Sequence, residues 1–176
     1  DTVLVAPGTY IESGIALAAG VTLRGTGAGP AEVVLDGRGM GRVLDAAAVA
    51  AVVIENLTVR GGRLTTGWFA GGGGGLRCDG STVRIRDCIF TGNRAGVGGA
   101  LAARGSTLEI VDCVFAANEA RYWQWAGGGA AFLLECEGTL ERCAFTDNVS
   151  EGDGTLGDGG GVFCQTGRRT VGDCTF

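Results

Sequence analysis

The chain has 176 residues, 35 of them glycine, and 45% of it is hydrophobic, which suits one domain with a continuous core and excludes an intrinsically disordered chain. Its 19 acids outweigh 14 bases, every base is arginine, histidine and lysine are absent, and the net charge is −5. That balance argues against nucleic acid and anionic membrane surfaces as partners, and the longest apolar run, around 46–54, is far too short to span a bilayer.

The chain opens Asp1-Thr2-Val3 without a signal peptide or a Met, as a mature product or a fragment would. Residues 1–45 are its least regular part. Val3-Leu4-Val5 reads as a strand, and Pro7-Gly8-Thr9-Tyr10 as a turn that leads into Ile15 and Leu17. Val21-Thr22-Leu23 alternates, residues 25–30 form a loop, and Val33-Val34-Leu35 is a strand that ends on the turn signal Asp36-Gly37. Val43-Leu44 and Val52 to Ile54 continue the pattern.

From residue 56 onward a repeat takes over. Asp87-Cys88-Ile89-Phe90-Thr91-Gly92-Asn93 returns as Asp112-Cys113-Val114-Phe115-Ala116-Ala117-Asn118 and as Arg142-Cys143-Ala144-Phe145-Thr146-Asp147-Asn148. Asp173-Cys174-Thr175-Phe176 is a truncated copy, and Asn56-Leu57-Thr58-Val59 an earlier relative. Leu57 to Cys88 is 31 residues, and the following steps between cysteines are 25, 30 and 31. A basic period of 25 is too short for two packed helices but fits one turn of a β-solenoid with loops of variable length. Val83 and Ile85 alternate with Arg84 and Arg86, the period of a strand. The phase then slips by one before Cys88 and Phe90, which predicts a corner at Asp87 and at its equivalents Asn56, Asp112 and Asp173. Gly-Gly-apolar segments precede each pair of strands: Gly98-Gly99-Ala100-Leu101, Gly128-Gly129-Ala130-Ala131 and Gly160-Gly161-Val162-Phe163. Helical periodicity is almost absent. The expected fold is all-β, a right-handed parallel β-helix of about six coils of three short strands.

Gly-Gly-Ala-Leu at 98–101 followed by Phe-Ala-Ala-Asn at 115–118 resembles the paired GGA[ILV] and FxxN repeats of the polymorphic outer membrane proteins. Those repeats belong to the wider right-handed parallel β-helix superfamily that includes pectate lyases. The resemblance covers roughly residues 75–176. It implies the fold, and a scaffold used for adhesion, passenger display and polysaccharide chemistry.

The same register assigns the interior. Cys88, Cys113, Cys143 and Cys174 are expected to form an inward ladder beside Phe90, Phe115 and Phe145 and beside Asn93, Asn118 and Asn148. Parallel stacking holds their Cβ atoms about 4.8 Å apart, beyond disulfide reach, so the cysteines read as buried thiols. Cys78 and Cys164 share a different register, three coils apart, while the off-register Cys136 is placed to meet Cys164 in the next coil. A chain of this pattern is expected to be one β-helix domain over 1–176, continued by further coils, a cap or a partner beyond it.

Variable loops fall at one corner, over 61–74, 119–127 and 149–158, and solenoid loops on one edge are where function is usually carried. The first two hold Trp68, Phe69, Tyr122, Trp123 and Trp125, the candidate ligand-binding residues, with all three tryptophans among them. Aromatic faces stack on sugar rings and anchor protein interfaces. Three readings stand together: a glycan platform, a protein or oligomer contact, and loops that fold back and bury their own rings against the solenoid. Asp147, Asp153 and Asp158 in the third loop are candidate calcium ligands, although their spacing departs from D-x-[DN]-x-[DN]-G and a solvated acidic loop competes.

No residue is assigned a catalytic role. The corner acids recur periodically, as structure requires, and Arg84, Arg86, Arg104 and Arg142 read as solvent-facing partners of nearby acids. The expected function is a secreted or cell-surface β-helix segment, adhesin-like, that presents its aromatic loops to a glycan or protein partner and needs no cofactor. The alternatives are a polysaccharide lyase or glycoside hydrolase, and a rod or filament subunit that associates end to end.

Overall fold

Alternating apolar residues become short parallel strands that stack coil upon coil. The computed structural model describes residues 1–65, 69–121, 127–152 and 159–176. A first sheet of seven strands runs Thr2–Val5, Thr22–Gly25, Val52–Glu55, Thr82–Arg86, Thr107–Val111, Glu137–Glu141 and Arg169–Gly172. A second, of six, runs Gly8–Ile11, Val33–Asp36, Thr58–Arg60, Ile89–Thr91, Val114–Ala116 and Ala144–Thr146. A third, also of six, runs Ile15–Ala16, Leu44–Ala47, Leu76–Asp79, Leu101–Arg104, Ala131–Leu134 and Val162–Gln165. Every pairing is parallel, so the fold is the right-handed parallel β-helix expected of the repeat.

A fourth, narrow sheet joins these three. Arg94–Ala95, Glu119–Arg121 and Val149–Glu151 pair in order just after the Asn of each FxxN segment. Near the N-terminus, Gly8–Ile11 is a strand rather than part of a turn, because the β-formers Thr9, Tyr10 and Ile11 find partners in Thr9↔Val34, Tyr10↔Leu35 and Ile11↔Asp36.

The corners are made by residues in the left-handed region. Asn56, Asp87, Asp112, Arg142 and Asp173, with φ between 50° and 54°, end the first sheet's strands where the apolar phase slips. Ala48, Gly80, Gly105, Glu135 and Thr166 do the same after the third sheet. Short polar side chains and glycine bear this conformation at least cost, and Arg142 carries it by binding Asp112 through Nε (2.7 Å) and Nη2 (2.9 Å). The Gly-Gly corner is tighter still. At Gly98, φ is 54° and a Cβ would lie 2.0 Å from the Leu101 carbonyl oxygen, so only glycine fits.

Inside, like stacks on like. Phe90↔Phe115↔Phe145 are in register, with stacked rings 5.2 and 4.9 Å apart, and Phe176 continues the column 4.9 Å beyond Phe145. Cys88, Cys113 and Cys143 are buried free thiols, each directed at backbone carbonyls, and Cys174, half-buried, follows them. The hydrogen bond of Cys143 with Cys113, and burial, push the Cys143 thiol up, and burial pushes up Cys78. The third column is polar. Asn93 Nδ2 donates to Val59 O and to Asn118 Oδ1, and Asn118 Nδ2 donates to Phe90 O and to Asn148 Oδ1. Each Asn side-chain oxygen also accepts a backbone N–H of the preceding coil, as Asn93 Oδ1 does from Gly62. Buried amides are thereby satisfied along the rod, which pins the register coil by coil.

Cys136 and Cys164 form no disulfide. Leu133 is the register partner of Cys164, and both cysteines are free. Cys136 instead takes the corner position of Ser81 and Ser106, its Sγ donating to Leu134 O as their hydroxyls do to Asp79 O and Arg104 O. Sequence spacing hid this because the corner accepts any small donor.

Candidate binding edge

The edge between the fourth sheet and the Gly-Gly corner carries the long connections. Arg63, Arg94, Glu119 and Val149 lie in one row across successive coils, joined by the bridge Arg63↔Arg94 and the pairs Arg94↔Glu119 and Glu119↔Val149. Glu119 is the row's electrostatic centre. Its Oε2 lies 3.5 Å from Arg94 Nη1, and its Oε1 lies 2.5 Å from Arg121 Nε without an aligned N–H, an ion pair rather than a hydrogen bond. Arg121 also pairs with Glu151 of the next coil.

The first connection folds back on the solenoid. Phe69 is 4% exposed and packs with Val97, Ala102 and Phe132 on the outer face of the third sheet, where Phe132 stacks on Phe163 at 5.0 Å. The Arg104 guanidinium covers the Phe69 ring at 4.8 Å from its centre. Arg42 ties down the same segment, donating to the carbonyls of Ala70, Gly72 and Gly73 at 2.8, 2.9 and 3.2 Å. Phe69 was expected among the displayed rings. It anchors a small external core instead, because the apolar row of the third sheet's outer face gives it somewhere to bury. Sequence carried a trace of this: Ala102, Phe132 and Phe163 are apolar where an outward strand position would ordinarily be polar.

Trp68, Tyr122, Trp123 and Trp125 lie outside the described residues, as do Asp153 and Asp158. Along the chain they fall between described anchors of this one edge, Thr65 and Phe69, Arg121 and Gly127, and Gly152 and Gly159. Asp147 is exposed at a left-handed corner, φ 54°, in line with Gly61, Gly92 and Ala117. Among the described residues no three Cys, Asp or Glu side chains gather as a metal site.

Elsewhere charge pairs cross the surface. Glu109 holds both Arg84 and Arg86, and these guanidinium groups, Arg86 first, keep its carboxyl below the usual range. Arg104 binds Asp79 through two hydrogen bonds of 3.1 and 2.9 Å, Arg77 binds Asp45 likewise, and Arg60 binds Asp36 at 2.9 Å. Asp112, one of the corner acids, is engaged by Arg142, which holds its carboxyl low. No helix among the described residues is long and apolar enough to cross a membrane.

No curated protein and no solved structure matches this chain. A family model described as a right-handed β-helix region matches residues 39–176, well over half of the sequence. The parallel sheets and that match together make the chain a member of the right-handed β-helix family.

Proposed function

We propose that this chain is a secreted or cell-surface β-helix scaffold, of the kind used in polymorphic outer membrane protein repeats, whose loop edge receives a glycan or protein partner. One observation carries the reading: the described ends of the long connections lie on a single edge, while arginine–carboxylate pairs are spread over other parts of the surface. All three tryptophans fall in those connections, and indole faces are suited to stacking on a ligand. Phe69, which follows Trp68 in the sequence, anchors the first connection to the solenoid. A glycan would be gripped by ring stacking and a protein by the same rings as anchors.

Intrinsic tryptophan fluorescence, titrated with a panel of polysaccharides with and without calcium, tests this. A saturable quench or shift for one glycan is expected. A flat response across the panel, with no partner protein altering the emission either, overturns the proposal.

A further inference from the structure

Beside the loop edge, where the fourth sheet begins, lies an open cleft of about 390 Å³. Arg38, Arg63 and Arg94 line it, from three successive coils, together with Glu119 and the bare glycine backbone at Gly62 and Gly92. Adjacent coils are spaced by about 4.8 Å, so the three guanidinium groups can converge on one small ligand.

The charge here runs against the rest of the molecule. The chain is net negative, and most of its arginines stand against a carboxylate. Arg38 and Arg63 do not: among the described residues neither has a carboxylate within ion-pair distance. Asp36, beside Arg38, is occupied by the Arg60 side chain and the Arg38 backbone N–H. Among the described residues Glu119 is the one acid in the lining, and Arg121 shares it from outside the cleft. Three cations against one shared anion leave a surplus of about two positive charges in a cleft with glycine walls.

We propose that this cleft binds a phosphate monoester. Guanidinium forks match the oxygens of phosphate, and a monoester carries about −1.5 to −2 at neutral pH, which balances the surplus. A carboxylate or a sulfate monoester, each carrying a single charge, balances only half of it. A pocket of this size holds a small ligand such as a phosphorylated sugar. Gly61, Gly62, Arg63 and Glu119 open the connections that carry the aromatic residues, but the inference rests on the arginines and uses none of those rings, so it stands apart from the reading of the loop edge.

Isothermal titration of the intact chain with inorganic phosphate, glucose 6-phosphate, glucose 6-sulfate and acetate tests it. Both phosphates are expected to bind saturably with a dissociation constant in the millimolar range or tighter. The sulfate ester should bind more weakly and acetate least. The ester should tighten as pH rises through about 6, where its second proton leaves. The double variant Arg38→Gln/Arg63→Gln, at exposed positions that leave the coil intact, should lose about tenfold or more. Glu119→Gln should tighten binding. Inorganic phosphate equal to the ester marks a site that reads phosphate alone, and a tighter ester one that also touches the sugar; either supports the site. Absence of saturable heat with both phosphates overturns it, as does equal binding of all four anions that survives the double variant.

Discussion

The coils from residue 75 onward and the coils before it solve the same packing problem differently. In the later coils phenylalanine faces phenylalanine and asparagine faces asparagine, coil after coil. In the earlier ones the phenylalanine column becomes Val59, Leu35 and Tyr10, and the asparagine column stops. Gly62 stands where Asn93 stands one coil later, and its N–H is the last donor the column satisfies. The fourth sheet fades at the same level, to the single bridge Arg63↔Arg94. The charged cleft opens at this boundary. A repeat that satisfies all its own groups is inert, and chemistry becomes available where the repeat ends.

The comparison can be broken most severely in the later coils. Phe115→Ala removes the middle ring of the column and is expected to cost about 3–5 kcal/mol in denaturant unfolding. Val59→Ala, the equivalent of the earlier coils, should cost about half that, because the side chain is smaller. Asn118→Ala leaves the Asn93 backbone N–H and Phe90 O without their partners, at roughly 1–3 kcal/mol for each buried group. Extending the asparagine column backwards by Gly62→Asn should destabilise the protein, since a Cβ at 62 would lie 1.9 Å from Gly74 O. A rise in melting temperature in that variant would show that the column ends by accident and not because the backbones converge.

Thiol burial gives a pH dependence of its own. Burial holds the Cys78 and Cys136 thiols above their ordinary value of 9.0, and Cys143 is raised by its bond to Cys113 and by burial. A group whose folded value is raised contributes stability that is fully present below the unfolded value. Unfolding free energy is therefore expected to hold up to about pH 9 and then to fall by up to about 1.4 kcal/mol per pH unit for each thiol that stays neutral. Chemical denaturation at pH 8 and pH 10.5 measures this, and Cys78→Ala should flatten the loss. The smallest effect is expected at the surface. Arg104→Ala, which removes the pair with Asp79 and the cover over Phe69, should cost about 1–2 kcal/mol at most.

Much of this architecture is legible in the sequence because period and register are local. The slip of phase at Asp87 marks a left-handed corner, and the spacing of Cys88, Cys113 and Cys143 marks a column. The fourth sheet escapes notice because its strands, such as Arg94–Ala95, are two or three residues long and mix charge with alanine. The strand at Gly8–Ile11 is masked by the turn signal Pro7-Gly8, and pairing with Val33–Asp36 overrides it. Phe69 reads as exposed because its burial depends on Phe132, more than sixty positions later. The cleft is invisible for the same reason: Arg38, Arg63 and Arg94 become neighbours only when three coils stack.

The division of labour, stability in the columns and recognition at the edge, is tested most directly by one paired measurement. Trp68→Ala and Trp123→Ala are each taken through the fluorescence titration with the glycan or protein that quenches the native chain, and through thermal melting. The account predicts a response reduced about tenfold or more in affinity with the melting midpoint moved by no more than about 2 °C. An undiminished response, or a melting midpoint that falls as far as in Phe115→Ala, would contradict it and make these rings part of the packing.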